Sequence, residues 1–160
     1  MTVCFEERHY PCGTLYLAAD AVALRAVAFS TNWPRIKAAL GAVQAGSNPL
    51  IEQAAQQLHE YFTRQRQAFD LPLHLDGTAF QRRTWQALQA IPYGETRSYA
   101  EQAALLGQPQ AVRAVGRTNG LNPLCIIIPC HRVIAKSGKL AGYAGGLEAK
   151  QYLLQLEAGG

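Results

Sequence analysis

At 160 residues the chain can hold one ordinary domain, or two small ones sharing a core. With 49% hydrophobic and 16% charged residues it has the composition of a globular protein and not of an intrinsically disordered one. No apolar run reaches the length of a membrane span, and "MTVCFEERHY" lacks the basic-then-apolar order of a signal peptide; the expected setting is the cytoplasm, with no membrane partner.

The net charge of +4 is unevenly spread. Residues 1–76 carry six Lys/Arg against seven Asp/Glu, whereas residues 77–160 carry nine against four. A near-neutral half joined to a basic half suits a chain whose second part meets a polyanion, although a solvated basic surface gives the same count. A boundary is therefore expected between an N-terminal α/β domain, 1–76, and a C-terminal domain, 77–160. The four cysteines, Cys4, Cys12, Cys125 and Cys130, contain no C-x-x-C pair. In a cytoplasmic chain they do not suggest a disulfide framework. Cys4, His9 and Cys12 could in principle share a zinc ion, but no fourth ligand is evident, and small side chains on a strand and its turn are the simpler reading. No metal site and no cofactor are expected.

In chain order, "VCFEERHY", "TLYLAAD" and "ALRAVAFS" read as short strands, with Pro11-Cys12-Gly13 as the first turn, and suggest an antiparallel meander. Residues 31–48 fit neither period. Asn48 then caps a helix opened by Pro49, and Ile51, Ala54, Ala55, Leu58, Tyr61 and Phe62 share one face of it. "AFDLPLHLD" reads as an extended link. Thr78 caps a second helix running to Ile91, with Phe80, Thr84, Ala87, Leu88 and Ile91 inward; Pro92-Tyr93-Gly94 stops it.

Ser98-Tyr99-Ala100-Glu101 is a capping box for a helix ending at Gly107, and Pro109 can open another after a short break. Two short helices about a glycine-containing turn make a helix-turn-helix or a plain helical hairpin. The second helix carries few of the long polar side chains that read a major groove. Its Ala111, Ala114 and Gly116 are small, and Arg113 and Arg117 lie one turn apart. Small residues either pack helix on helix or permit approach to a minor groove of about 6 Å, where an arginine can act as a wedge.

"PLCIIIPCHRVI" follows. Leu124 to Ile128 has the length and uniform apolarity of a strand buried on both faces, with Cys125 a core residue within it. Pro129 ends the run and leaves Cys130 at its exit, beside His131 and Arg132 and shortly before Lys136 and Lys139. Such an electropositive, partly open position lowers a thiol's pKa and makes a nucleophile of it. From these residues alone Cys130 could still be packing, ligand or nucleophile.

As a set, "PCHRVI", the preceding "NP", the following "GYAGG" and the "SY…RAVG" helices resemble the methylated-DNA–protein-cysteine methyltransferases, the O6-alkylguanine-DNA alkyltransferases. The likeness runs motif by motif over about residues 77–157. It implies an α/β (α+β) fold: a small, ribonuclease-H-like antiparallel sheet with a helix, then a mainly helical domain with a helix-turn-helix and one buried strand before the reactive cysteine. It implies a DNA-repair protein that moves the alkyl group of O6-alkylguanine, with O4-alkylthymine a second candidate, irreversibly to Cys130.

The resemblance also implies residue roles. His131 takes the thiol proton through a water, and Glu157 orients the imidazole. Asn122 fixes the turn. Tyr99 stands over the flipped base and reaches the phosphate. Arg113 fills the gap in the duplex, with Ala111, Ala114, Gly116 and Arg117 along the groove. Val133, Tyr143, Ala144, Gly145 and Gly146 line the alkyl pocket. Relatives often have a small residue in place of Thr118 and some have Ser in place of Ala144, which bears on alkyl-group preference. The implied partner is double-stranded DNA bound from the minor groove by a monomer.

Overall fold

The computed structural model describes residues 1–138, 140 and 142–159. The chain divides into two compact units, Met1–Leu75 and Asp76–Gly160.

In the first unit, β1 (Val3–Tyr10), β2 (Gly13–Ala19) and β3 (Leu24–Phe29) form the expected antiparallel meander. The ambiguous stretch after it resolves into α1 (Trp33–Leu40) and a short strand β4 (Val43–Ala45). β4 pairs parallel to β1, so the sheet order is β3-β2-β1-β4 and the sheet is mixed, a correction to the purely antiparallel expectation. A helix between β3 and β4 supplies the crossover that a parallel neighbour requires. Its Trp33 and Ile36 pack on Val3, Ala18, Ala26 and Ala28, and the Trp33 ring stacks on Tyr16 at 5.3 Å.

α2 (Pro49–Phe62) begins as the sequence indicates, the Asn48 side chain accepting the Ile51 N–H at 2.9 Å. All six residues of its apolar face are buried. The helix stops at Thr63 with Arg64 in the left-handed region, φ 64°, while Arg64 and Gln65 N–H groups close back on the Tyr61 and Glu60 carbonyls. Cys4 and His9 sit five residues apart on β1, about 16 Å along a strand, which keeps these two from sharing an ion.

In the second unit, α3 (Ala79–Leu88) carries the Thr78–Gln81 capping box and ends three residues before Ile91, the chain continuing in turns to Pro92. Trp85, absent from the expected inner face, is among its most buried residues, and its indole N–H donates to the Thr118 carbonyl at 2.8 Å. Two-residue strands β5 (Arg97–Ser98) and β6 (Val133–Ile134) pair in parallel. Ser98 then caps α4 (Tyr99–Leu105) with the anticipated box. At its end Gly107, φ 73°, lets Gln108 and Gly107 N–H groups reach the Ala103 and Ala104 carbonyls. Pro109 does not open the next helix. That is α5 (Val112–Gly120), whose first turn follows a bend at Gln108–Ala111. α6 (Leu147–Glu157) closes the unit.

The apolar run before Cys130 is a turn, not the buried strand that its composition suggests. Leu124 to Ile128 are all buried, but Ile126 has φ 73°, a left-handed conformation costly for a β-branched residue. The Ile127 N–H bonds the Cys125 carbonyl at 2.8 Å and the Ile128 N–H bonds Leu124 at 2.9 Å. Apolarity reports burial; it cannot report direction.

Candidate active site

Asn122 is the fastener of that turn. Its amide nitrogen donates to the Ile128 carbonyl at 2.8 Å, and its amide oxygen accepts the Leu124 N–H at 2.9 Å. The reversed chain emerges at Pro129 into a single 3-10 turn, Cys130–Arg132, so three consecutive side chains are delivered to the interior. Cys130 is 8% exposed and His131 wholly enclosed.

His131 Nε2 lies 2.8 Å from Glu157 Oε2, on the last turn of α6. An ionised carboxylate only accepts, so Nε2 carries the hydrogen and the neutral ring keeps its lone pair on Nδ1. Nδ1 is buried and has no hydrogen-bond partner among the described residues. Burial holds the imidazole below its ordinary value of 6.5; Glu157 opposes that shift, and the charges of Arg132 and Lys150 add to it. The histidine is therefore an uncharged base with one free acceptor.

Arg132 has a different place from the one its sequence position suggests. It is buried: Nε donates to Glu157 Oε1 at 2.7 Å, Nη2 to Oε2 at 2.9 Å, and Nη1 to the Ile91 carbonyl at 2.7 Å. Its charge is consumed by Glu157 and does not give the thiol an open basic surround. Lys136 is exposed, and Lys139 lies outside the described residues. The cation acting on the sulfur is Lys150 of α6, which is fully buried and donates to the Val133 carbonyl at 2.8 Å. Sequence reasoning missed it; a lysine one turn before Leu153 on the same apolar face was the available signal. The Cys130 thiol is held below its ordinary value of 9.0, first by a hydrogen bond from the Cys125 side chain, then by the Asn122 amide and the Lys150 charge, against the desolvation that opposes them. In turn, burial pulls the Lys150 ammonium down while the Cys130 thiolate holds it up.

Tyr99, first residue of α4, is half-buried; burial, and next the negative charge of Cys130, push its phenol up, so it remains a donor at neutral pH. In α5, Arg113 and Arg117 are exposed, and Ala114 and Gly116, like Ala111 at its N-cap, are partly buried. A Cβ on Gly116 would lie 3.7 Å from the Tyr99 ring, so this glycine faces α4 at ordinary contact distance. Two amides unnoticed in the sequence lock the helices together: Gln102 and Asn119 exchange hydrogen bonds of 2.9 and 2.7 Å in the core. A reciprocal buried pair satisfies both side chains and fixes one register. Of the expected pocket residues, Val133 is buried and Tyr143, Ala144 and Gly145 are partly so; Gly146, φ 89°, starts α6. The Tyr143 ring stands edge-on to His131 at 6.4 Å. Among the described residues no group of three or more His, Cys, Asp or Glu gathers to hold a metal, and no helix is long and apolar enough to cross a membrane.

A helix-turn-helix and an activated, enclosed thiol with a neutral histidine beside it define a class: a protein that presents a cysteine nucleophile from a nucleic-acid-binding type of scaffold. The model of the 6-O-methylguanine DNA methyltransferase DNA-binding domain matches residues 79–159, and that of the family's ribonuclease-like domain matches residues 8–75. The chain is 46% identical over 147 residues to the methylated-DNA–protein-cysteine methyltransferase of Methanosarcina barkeri, covering 92% of each chain. It is 46% identical over 149 residues to the constitutive enzyme of that name from Bacillus subtilis, covering 92% of this chain and 90% of that one. The crystal structure of Mycobacterium tuberculosis OGT in complex with DNA superposes with a TM-score of 0.89 at 43% identity, over 98% of this chain and 93% of that one. The chain belongs to the 6-O-methylguanine DNA methyltransferase family.

Proposed function

We propose that Cys130 is the single-use acceptor for the alkyl group of O6-alkylguanine in double-stranded DNA. The observation that carries this reading is the enclosed Cys130–His131–Glu157 arrangement, in which the one unoccupied ring nitrogen belongs to the residue next to the sulfur. His131 Nδ1 takes the thiol proton through one bridging water, and Glu157 steadies the imidazolium that forms. Thiolate sulfur attacks the alkyl carbon; the S–C bond forms, the O6–C bond breaks, and guanine departs with the electron pair. Tyr99, kept protonated, donates a hydrogen bond to the departing base. The product is a thioether, from which water does not readily displace a thiolate, so the protein acts once.

A base inside the duplex cannot reach a sulfur 8% exposed, so the lesion is rotated out of the stack. Exposed Arg113 occupies the gap, and the small residues of α5 let the helix approach the minor groove. Tyr143, Ala144, Gly145 and Gly146 wall the alkyl group, with Val133 behind it. The Val133 carbonyl, already bonded to Lys150, retains a second lone pair for the guanine edge. The protein works as a monomer. Arg113→Ala separates flipping from chemistry: alkylation of Cys130 by free O6-benzylguanine keeps its rate, while transfer from duplex DNA slows about tenfold or more. Equal slowing with both substrates overturns the assignment of Arg113.

A further inference from the structure

The chain places a second thiol beside the first. Cys125 is 1% exposed and lies in the same turn as Cys130, whose thiol its side chain helps hold below the ordinary value. Its thiol donates to the Asn122 carbonyl oxygen at 3.8 Å. The turn is what creates the pair. In a continuous strand, residues 125 and 130 would be about 16 Å apart and on opposite faces, because five is an odd number of steps. The left-handed Ile126 and the bridge between Cys125 and Ile128 fold that distance away. Asn122 fastens both ends of the turn: its amide nitrogen donates to the Ile128 carbonyl and its amide oxygen accepts the Leu124 N–H.

We propose that Cys125 and Cys130 are a peroxide-closable dithiol, so that oxidation stores the alkyl acceptor as an intramolecular disulfide instead of destroying it. The Cys130 thiolate attacks a peroxide oxygen; the O–O bond breaks, hydroxide leaves, and the sulfur becomes a sulfenic acid. The Cys125 sulfur then attacks the sulfenic sulfur, an S–S bond forms, and water leaves with the Cys125 proton. The sulfur pair gives up two electrons and the peroxide is reduced. Closing the bridge brings the two sulfurs to about 2.05 Å. Other fates of a sulfenic acid, the sulfinic and sulfonic acids, are irreversible without a dedicated reductase. For a thiol spent in one reaction, a neighbour that intercepts the first oxidation state preserves the unused protein. An external dithiol reopens the bridge by exchange.

The proposal draws its consequence from Cys130 being the acceptor, but its chemistry can be read without DNA. Full-length protein is treated with hydrogen peroxide, blocked with an alkylating reagent and digested with trypsin. Both cysteines fall in one peptide, Thr118–Arg132. The expected product is that peptide lighter by two hydrogens and unlabelled by the reagent, restored by dithiothreitol. In parallel, methyl uptake from O6-methylguanine duplex falls more than about tenfold and returns with dithiothreitol. In Cys125→Ser and Cys125→Ala the same peroxide dose carries Cys130 to sulfinic and sulfonic acids, which dithiothreitol does not reverse. Wild-type protein that over-oxidises at Cys130 with Cys125 still free, or that does not oxidise at all, overturns the dithiol. A disulfide that forms as described in a protein whose reduced form takes no methyl group leaves the dithiol standing and defeats the acceptor assignment instead.

Discussion

The two units solve opposite problems with their interiors. The first is built as a stability element. Leu15, Leu17, Leu24, Ile51 and Leu58 are wholly buried, and its buried polar side chains are few: Asp20, Asn32 and Gln57, of which Asp20 and Asn32 satisfy local backbone groups and Gln57 bonds the Asp70 backbone. The second buries Asn122, His131, Arg132, Lys150 and Glu157. Desolvating such groups costs several kcal/mol per ion unless each finds partners. It is tolerated because each has partners: His131 and Arg132 bond Glu157, Asn122 bonds the backbone of its turn, and Lys150 bonds the Val133 carbonyl. Where the first unit uses apolar area to hold a shape, the second gives up stability to hold a thiol and the neutral imidazole beside it in place.

The sharpest way to break this contrast is Glu157→Gln. It removes the anion shared by His131 and Arg132 and leaves a guanidinium enclosed without its counter-charge, an expected destabilisation of about 3–5 kcal/mol. Each unit holds one tryptophan, Trp33 and Trp85, so single-tryptophan variants report them separately in denaturant. The loss should register on Trp85; an effect below about 1 kcal/mol would mean that the network is not the keystone of its unit.

Next comes Leu58→Ala, which deletes a fully buried side chain from α2 in the first unit. The transfer and cavity costs sum to about 2–5 kcal/mol, read on Trp33. The rate at which iodoacetamide labels Cys130 in the folded protein should be unaltered. A changed labelling rate would show that the first unit tunes the thiol.

The smallest expected effect is a pH dependence. His131 is held below its ordinary 6.5, so the unfolded chain binds more protons than the folded one just beneath that value. Its contribution is complete above about pH 6.5 and is lost as pH falls through the lower, folded value. Stability on Trp85 should therefore drop between pH 7 and pH 5, and His131→Gln should flatten that part of the slope. An unchanged slope would place the acid sensitivity on other groups.

How much of this could be read from the residues alone depended on whether the signal was local. Caps and periodic faces were legible: Asn48, Thr78 and Ser98 each accept the N–H expected of them. Cys130 beside His131 is legible in the residues themselves, whereas the role of His131 and the remote Glu157 come only with the family resemblance; the structure brings His131 and Glu157 to 2.8 Å. What stayed hidden was tertiary. Ile126 gives no sign of a left-handed turn, since neither its branching nor its neighbours favour one. Arg132 reads as surface charge until Glu157 is seen against it, because pairing across 25 positions leaves no spacing rule. β4, three residues long, is a strand only because β1 has a free edge to offer.

The central claim is settled by weighing the intact protein after mixing with duplex DNA that carries one O6-methylguanine. The expected result is the gain of a single methyl group, saturating at one equivalent, mapped to Cys130 and absent in Cys130→Ser. Folded wild-type protein that leaves the lesion unchanged, or that carries the methyl group on another residue, would contradict it.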